Sequence, residues 1–256
     1  MQIDLNSDVG EFAAAVADGT QEQLMRSLTS VNIACGGHAG DAQTMRATIE
    51  QALRSGVAIG AHPGYADREN FGRLELRRPA EEVADSVYEQ VCALARIALE
   101  CGARVEHVKP HGALYNQAAR DPQLARAIAR GVARWNRDVV MVGLARSLML
   151  EVFREAGFLV AAEAFADRRY EADGSLRSRK FADALIREPE EAAQQALRIV
   201  EQESVLASDG TEVMVAAQTI CLHGDTPGAA EIAARVAEAL RGAGVLLLRT
   251  ALRLNN

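Results

Sequence analysis

The sequence predicts an α/β fold, a single parallel β/α barrel that spans residues 1–256 and is distorted, with seven or eight strands. Short runs of β-branched and apolar residues alternate with helical patterns, which is typical of βαβ units and a parallel sheet. Seven or eight such units follow one another, and α/β barrels of roughly 200–250 residues commonly form one domain. No linker rich in Pro, Gly or Ser and no block of like charge divides the chain.

Each element is predicted from its apolar pattern and from the residues at its ends. The predicted strands are Ile3–Asn6, Val31–Ala34, Val57–Ala61, Val105–Lys109, Val139–Gly143, Phe158–Glu163, Thr219–Leu222 and Val245–Leu248. The predicted helices are Gln21–Leu28, Ala42–Arg54, Ala80–Glu100, Pro122–Asn136, Arg146–Ala156, Pro189–Gln202 and Pro227–Arg241. Asp41 and Asp121 stand where helix N-caps belong. A doubly wound open sheet is the alternative, but no G-x-G-x-x-G motif follows a predicted strand, which disfavours its dinucleotide-binding form.

Composition and charge narrow the class of function. The formal net charge is −7 at pH 7, which argues against nucleic acid or an anionic membrane as the main partner. Apolar runs such as Val139–Ala145 are far shorter than the ~20 residues that cross a bilayer. The N-terminal sequence MQID lacks the basic and apolar regions of a signal peptide. Cys35, Cys92, Cys101 and Cys221 form no CxxC pair, so we expect reduced thiols in a cytoplasmic protein.

The stretch Val31–Asp41, with the sequence VNIACGGHAGD, illustrates how polar residues follow a predicted strand. A buried strand ends at Ala34, two glycines permit a sharp turn, and His38 then precedes the N-cap of a helix. This is the pattern of a βα loop, where α/β folds carry their chemistry. A tight turn with a solvated histidine is the alternative for this stretch alone.

The same arrangement recurs along the chain. The polar residues at or after the predicted strand ends are Asp4, Asn6, Asp8, Glu11, His38, Asp41, His62, Lys109, His111, Tyr115, Asn116, Glu163, Asp167, Arg168, His223 and Asp225. Four of the five histidines are among them, and the fifth, His107, lies on the same strand face as Lys109. The carboxyl ends of parallel strands meet at one face, so we expect one convergent site rich in His, Asp and Lys.

Such a site is suited to general acid–base catalysis near neutral pH, or to a divalent metal such as Zn²⁺. No H-E-x-x-H spacing is present, so metal ligands would come from separate strands, with Asp4, His38, His62 and His223 as candidates. A buried lysine such as Lys109 is suited to an oxyanion or a phosphate. Neither a G-x-S-x-G elbow nor a phosphate-binding loop occurs, so a reaction that uses ATP would bind the nucleotide elsewhere.

Several of these residues also fit purely structural roles. Asp4 and Asn6 fit a strand-end cap, and Asp41 fits a helix cap whatever else it does. Tyr115 and Asn116 fit packing and capping nearly as well as substrate contact. These alternatives remain open from the sequence.

The long segment Ala166–Ile186 has no clear period and is rich in arginine. Segments of this kind are often lids or partner-binding surfaces. A plain surface excursion is equally compatible with the sequence.

The motifs together resemble those of the LamB/YcsF family, in the same order and over nearly the whole chain. They are Asp4–Glu11 (DLNSDVGE), Asn32–Asp41 (NIACGGHAGD), Gly60–Tyr65 (GAHPGY), Val108–Asn116 (VKPHGALYN), Glu163–Arg168 (EAFADR) and Cys221–Asp225 (CLHGD). The resemblance implies a barrel of the glycoside hydrolase/deacetylase type. It also implies the A subunit of an ATP-dependent 5-oxoprolinase, which opens the lactam of 5-oxo-L-proline to L-glutamate together with the B and C subunits.

We expect the candidate residues to fall into two groups. Those expected to be catalytic are Asp4, Asn6, Asp8, His38, His62, Lys109, His111 and His223. Those expected to bind substrate are Glu11, Asp41, Tyr115, Asn116, Glu163, Asp167, Arg168 and Asp225. ATP is expected to be bound largely by the partner subunits, and the presence of a divalent metal is left open.

The chain departs from the family pattern at Gly37, at Phe12–Ala17 and over Ser178–Asp183. A paralogue that acts on a related lactam or amide is therefore one alternative. A stand-alone metal-dependent hydrolase related to carbohydrate deacetylases is a second. A non-catalytic subunit that delivers 5-oxoproline to its partners is a third, although a dense cluster of titratable groups argues against it.

Overall fold

The computed structural model describes residues 1–226 and 228–250. Its strands are β1 (Gln2–Val9), β2 (Ser30–Ala34), β3 (Ala58–His62), β4 (Val105–Val108), β5 (Val140–Leu144), β6 (Leu159–Phe165), β7 (Ser204–Leu206), β8 (Glu212–Met214), β9 (Thr219–Cys221) and β10 (Leu246–Leu247). Its helices are α1 (Ala13–Ala17), α2 (Thr20–Met25), α3 (Ala42–Ser55), α4 (Ala80–Glu100), α5 (Gly112–Ala118), α6 (Pro122–Trp135), α7 (Leu148–Glu155), α8 (Pro189–Gln202) and α9 (Ala229–Gly242).

Seven parallel strands close into a barrel in the order β1-β2-β3-β4-β5-β6-β9, and β9 returns to pair with β1. The closing register places Asp4 opposite Thr219 and Asn6 opposite Cys221. The predicted parallel barrel is therefore confirmed, and the open-sheet alternative is wrong. The last predicted strand is also present, because β10 pairs with the start of β1 through Gln2 and Ile3.

The first strand is longer than its apolar pattern predicts. It continues to Val9 instead of ending at Asn6, so Asp8 lies within β1 rather than after it. Along β1 the apolar Leu5 packs in the hydrophobic core, whereas the neighbouring Asn6 makes polar contacts inside the barrel. This period-two alternation is that of a strand with one apolar face and one polar face.

The helices pack around the barrel largely where the sequence predicts them. Asp41 caps α3 by accepting a hydrogen bond from the Thr44 backbone N–H at 2.8 Å, and Asp121 caps α6 in the same way. Pro227, the predicted start of the last helix, lies outside the described residues. The short helices α1 and α5 and the antiparallel pair β7–β8 have no counterpart in the prediction.

The arginine-rich segment Ala166–Ile186 is tied to the barrel by backbone and side-chain contacts. Tyr170 is fully buried, and its hydroxyl accepts a hydrogen bond from the Phe165 backbone N–H at 2.8 Å. Arg168 and Leu185 form an isolated β-bridge across the segment.

Among the described residues, none of the helices is long and apolar enough to cross a membrane.

Alanine substitutions at two helical glycines are expected to change the stability of the fold in opposite directions. A methyl group on Gly131 of α6 would lie 2.5 Å from the Ala84 carbonyl oxygen of α4, whereas one on Gly242 of α9 would meet nothing within 4 Å. We expect Gly131→Ala to lower the free energy of unfolding by about 1–3 kcal/mol through overpacking. Gly242→Ala should raise it by about 0.4–1 kcal/mol by restricting the unfolded chain. Urea unfolding of the pair measures both, and equal effects would contradict the close α4–α6 packing.

Candidate active site

A buried lysine connects three strands that are not neighbours in the barrel. Lys109 directly follows β4, and its Nζ lies 3.0 Å from Asp8 Oδ1 of β1 and 2.9 Å from Glu163 Oε1 of β6. It also lies 3.1 Å from the Cys221 sulfur. Burial would lower the pKa of Lys109, but the two carboxylates hold that pKa well above its ordinary value. Lys109 is therefore charged, and we call Asp8, Lys109, Glu163 and Tyr115 the lysine network.

Both carboxylates of this network have further partners. The Tyr115 hydroxyl donates to Glu163 Oε2 at 2.8 Å. Burial would raise the pKa of Asp8, but its contacts with His62 and Lys109 hold it well below the usual value. Asp8 thus remains an ionised carboxylate at the carboxyl end of β1.

A layer of amides inside the barrel fixes these carboxylates in position. Asn32 donates to Asp8 Oδ1 at 2.8 Å and to Asn6 Oδ1 at 2.7 Å. Asn6 donates to Glu163 Oε1 at 3.0 Å, and His107 lies 2.8 Å from Asn32 Oδ1. The polar groups of the barrel interior are thereby hydrogen-bonded to one another, as buried polar groups require.

Glu11, His38, His62 and His111 form a second group at the same end of the barrel, which we call the histidine cluster. His111 Nδ1 lies 2.9 Å from His62 Nε2 and 3.3 Å from Glu11 Oε1, and His38 Nε2 lies 3.0 Å from the same carboxylate oxygen. The His38 and His111 rings stack with their centroids 3.5 Å apart. One potential ligand atom from each of the four residues lies within 4.8 Å of the others.

Burial determines the charge of this cluster. It lowers the pKa of His38 to about 2 and that of His111 well below its ordinary value, so both rings are neutral at pH 7. Burial, together with the nearby Asp8 carboxylate, raises the pKa of Glu11 to about 7. His62 joins the two groups, because its Nε2 lies 3.2 Å from Asp8 Oδ2.

A cleft of about 710 Å³ opens onto both groups, and its lining includes Asp8 and Glu11. Asp225 also lines the cleft and forms ion pairs with Arg73 at 2.6 Å and Arg179 at 2.8 Å. Burial would raise the pKa of Asp225, but Arg179 and the other nearby cations hold it below its usual value. The cleft lining thus includes the carboxylates of Asp8, Glu11 and Asp225, and two arginines beside the cleft pair with Asp225.

The sequence profile of the LamB/YcsF family matches residues 3–253. The chain belongs to the LamB/YcsF family. A relative from Chloroflexus aggregans, named as the A subunit of 5-oxoprolinase, is 50% identical over 245 residues, which are 96% of this chain and 97% of that protein. A relative of the same name from Heliobacterium modesticaldum is 46% identical over 245 residues, which are 96% of both chains.

The fold of this LamB/YcsF protein is shared with known structures. The crystal structure of a lactam utilization protein from Thermus thermophilus has a TM-score of 0.90 and 42% identity, covering 97% of this chain and 99% of that chain. A family 4 carbohydrate esterase from Streptomyces lividans has a TM-score of 0.53 and 11% identity, covering 96% and 91% of the two chains. The second likeness shows a common fold, in agreement with the predicted deacetylase-type barrel.

Most of the site residues predicted from the sequence lie in or beside the lysine network and the histidine cluster. Those in the lysine network or the histidine cluster are Asp8, Glu11, His38, His62, Lys109, His111, Tyr115 and Glu163. Asn6 lies in the amide layer beneath them. His223 and Asp167 pair with each other at 3.0 Å, and Asp225 lies in the cleft.

Four expected site residues lie elsewhere. Asp4 is buried deeper in the barrel, where the hydroxyls of Thr29, Ser30 and Thr219 donate to it, so its surroundings are those of a structural carboxylate. Asp41 is committed to its helix cap, and Asn116 is exposed on α5. The Arg168 guanidinium is buried and donates to the Arg177 carbonyl at 2.8 Å.

The four candidate metal ligands expected from the sequence, Asp4, His38, His62 and His223, do not lie together in the structure. His38 and His62 are close together, but Asp4 and His223 are held by other partners. Glu11 and His111 stand with the first two instead.

The sequence analysis of this LamB/YcsF protein missed two contributors to the site. Asn32, within β2, orients Asp8, and Phe71, in the loop between β3 and α4, accepts a hydrogen bond from His111 at 3.0 Å. The alternation of Asn32 with the apolar Val31 and Ile33 is a signal that could have identified an inward-facing amide. No local signal exists for Phe71, because its role depends on a backbone carbonyl.

The buried charge of Lys109 is expected to be necessary for the stability of the fold. Lys109→Met leaves Asp8 and Glu163 buried without their cation, so we expect the free energy of unfolding to fall by about 3–5 kcal/mol. Adding Glu163→Gln to the same chain removes one of the unpaired carboxylates and should recover part of the loss. Urea unfolding of both variants measures this coupling. An unchanged midpoint for Lys109→Met would show that the network does not stabilise the fold.

Proposed function

We propose that this chain is the A subunit of an ATP-dependent 5-oxoprolinase, which opens the lactam of 5-oxo-L-proline to L-glutamate with ATP hydrolysis, in a cytoplasmic complex with the B and C subunits. Family membership and the name of the relatives support this proposal. The observation that carries it is the juxtaposition at one cleft of the ionised Asp8 with Glu11, whose pKa burial raises to about 7. A group with a pKa near 7 can both accept and donate a proton at neutral pH.

Opening a lactam has three chemical requirements. A water molecule must attack the carbonyl carbon, the negative charge on the carbonyl oxygen must be stabilised, and the ring nitrogen must receive a proton as the C–N bond breaks. Coupling to ATP implies that the carbonyl is activated, and phosphorylation of its oxygen with help from the partner subunits is a route consistent with this requirement. We assign nucleotide binding largely to those subunits, since the chain carries no phosphate-binding loop motif.

The geometry suggests distinct roles for the two groups. Lys109 is 2% exposed and surrounded by Asp8, Glu163 and Cys221, so we assign it to positioning Asp8 rather than to contact with the anion that the sequence suggests. Asp8 lines the cleft and contacts His62, which suits it to orient the attacking water or to accept its proton. The carboxylate of 5-oxoproline would be recognised by Arg73 and Arg179, which pair with Asp225 beside the cleft.

The first test is glutamate release from 5-oxoproline and ATP, with the chain alone and with the B and C subunits. We expect release only when all three subunits are present, because activation of the carbonyl is assigned to the partners. Release by the chain alone, without ATP, would instead indicate a stand-alone hydrolase. No release from a complex shown by size-exclusion chromatography to be assembled would refute 5-oxoproline as the substrate.

A second test separates catalysis from substrate delivery. Asp8→Asn should lower kcat of the assembled complex by about 10²–10⁴-fold, the usual contribution of a general acid or base. Arg126→Gln is the matched surface control, because Arg126 is exposed on α6, and its kcat should be unchanged. An Asp8→Asn complex with normal kcat and a raised KM would support a delivery role for this chain and contradict the catalytic one.

A further inference from the structure

The histidine cluster contains a contact between two nitrogen lone pairs. His62 Nδ1 lies 2.8 Å from the Lys109 backbone carbonyl, and His111 Nε2 lies 3.0 Å from the Phe71 carbonyl. A carbonyl oxygen only accepts hydrogen bonds, so each of these nitrogens carries the ring proton. When each ring carries one proton, His62 Nε2 and His111 Nδ1 are both acceptors, and they face each other at 2.9 Å.

Two acceptors at this distance repel each other unless a cation or an additional proton lies between them. The groups around the contact favour a cation. Glu11 Oε1 lies 3.3 Å from His111 Nδ1 and 3.0 Å from His38 Nε2. Asp8 Oδ2, 3.2 Å from His62 Nε2, adds negative charge at the border of the cluster.

The His62 and His111 rings make the hydrogen bonds that metal-binding histidines usually make. A ligating histidine usually donates its other N–H to a carbonyl or carboxylate, which fixes the ring and its tautomer. His62 and His111 both do so. Phe71 adopts a left-handed backbone with φ of 54°, a conformation uncommon for a residue with a side chain, and its carbonyl is the one that meets His111.

We propose that Glu11, His38, His62 and His111 bind one divalent transition-metal ion, of which Zn²⁺ best fits three imidazoles and a carboxylate. Glu11 lines the cleft, so the ion would have one side accessible to a small molecule. When bound, such an ion can polarise a carbonyl oxygen or lower the pKa of a coordinated water. This inference goes beyond the proposed function, which requires no metal.

The experiment measures metal content and does not depend on turnover. The untagged chain is stripped with chelator, loaded with Zn²⁺ or Co²⁺, dialysed and analysed by plasma mass spectrometry. We expect about one ion per chain, and visible d–d absorption from the Co²⁺ form, as a site with few ligands gives. His62→Ala, His111→Ala and the nearly isosteric Glu11→Gln should each weaken binding by about tenfold or more.

The matched control is His223→Asn, which removes a histidine near the cleft that is paired with Asp167 and lies outside the cluster. It should keep the full metal content. Circular dichroism confirms that each variant is folded, and the thermal midpoint should rise with Zn²⁺ in the wild type but not in Glu11→Gln.

Three outcomes would overturn the proposal: no metal retained by the loaded wild type, equal metal content in the cluster variants, or loss of metal in His223→Asn alone. The first would leave a shared proton as the explanation of the short contact between His62 and His111. Because these readouts do not involve 5-oxoproline, a negative result here is distinguishable from failure of the proposed function.

Discussion

The burial of one ammonium group between two carboxylates is the constraint on which this structure depends. Removing Lys109 from water carries a desolvation penalty of several kcal/mol, which only close and well-aligned partners offset. Asp8 and Glu163 supply them from strands on either side of β9, while Lys109 itself follows β4. The ion pairs therefore exist only when the barrel is closed. Closure of the barrel therefore also assembles the site.

The architecture was predictable from the sequence because most of its strands contain a short apolar run between helical patterns. Val140–Leu144 is apolar and buried along its whole length, and continuous apolar runs separated by helical patterns indicate a parallel sheet. The first strand was cut short because polar Asn6 and Asp8 interrupt its apolar run. Their alternation with Leu5 and Val9 is nevertheless that of a strand whose polar face lines a barrel interior.

The site was predictable as a location, and less so as a set of contacts. The rule that strand ends converge brought Asp8, His38, His62 and Lys109 to one place, but it could not select among residues at the same edge. Asp4 has the residue type of a metal ligand, yet three hydroxyls from other elements hold it inside the barrel. Such a choice depends on tertiary partners 25 to 215 residues away in the chain.

Asp8 links the interior of the barrel to the chemistry at its mouth. Its Oδ1 receives Lys109 and Asn32, whereas its Oδ2 faces His62. The lysine network contains two carboxylates and one ammonium, so its formal net charge is negative, and the nearby His38 and His111 rings are neutral. A cation is therefore stabilised beside His62, and an anionic substrate group is repelled from it. Arg73 and Arg179 are the complementary position for a carboxylate, so the proposed lactam substrate would be oriented with its ring toward Asp8 and its charged end toward these arginines.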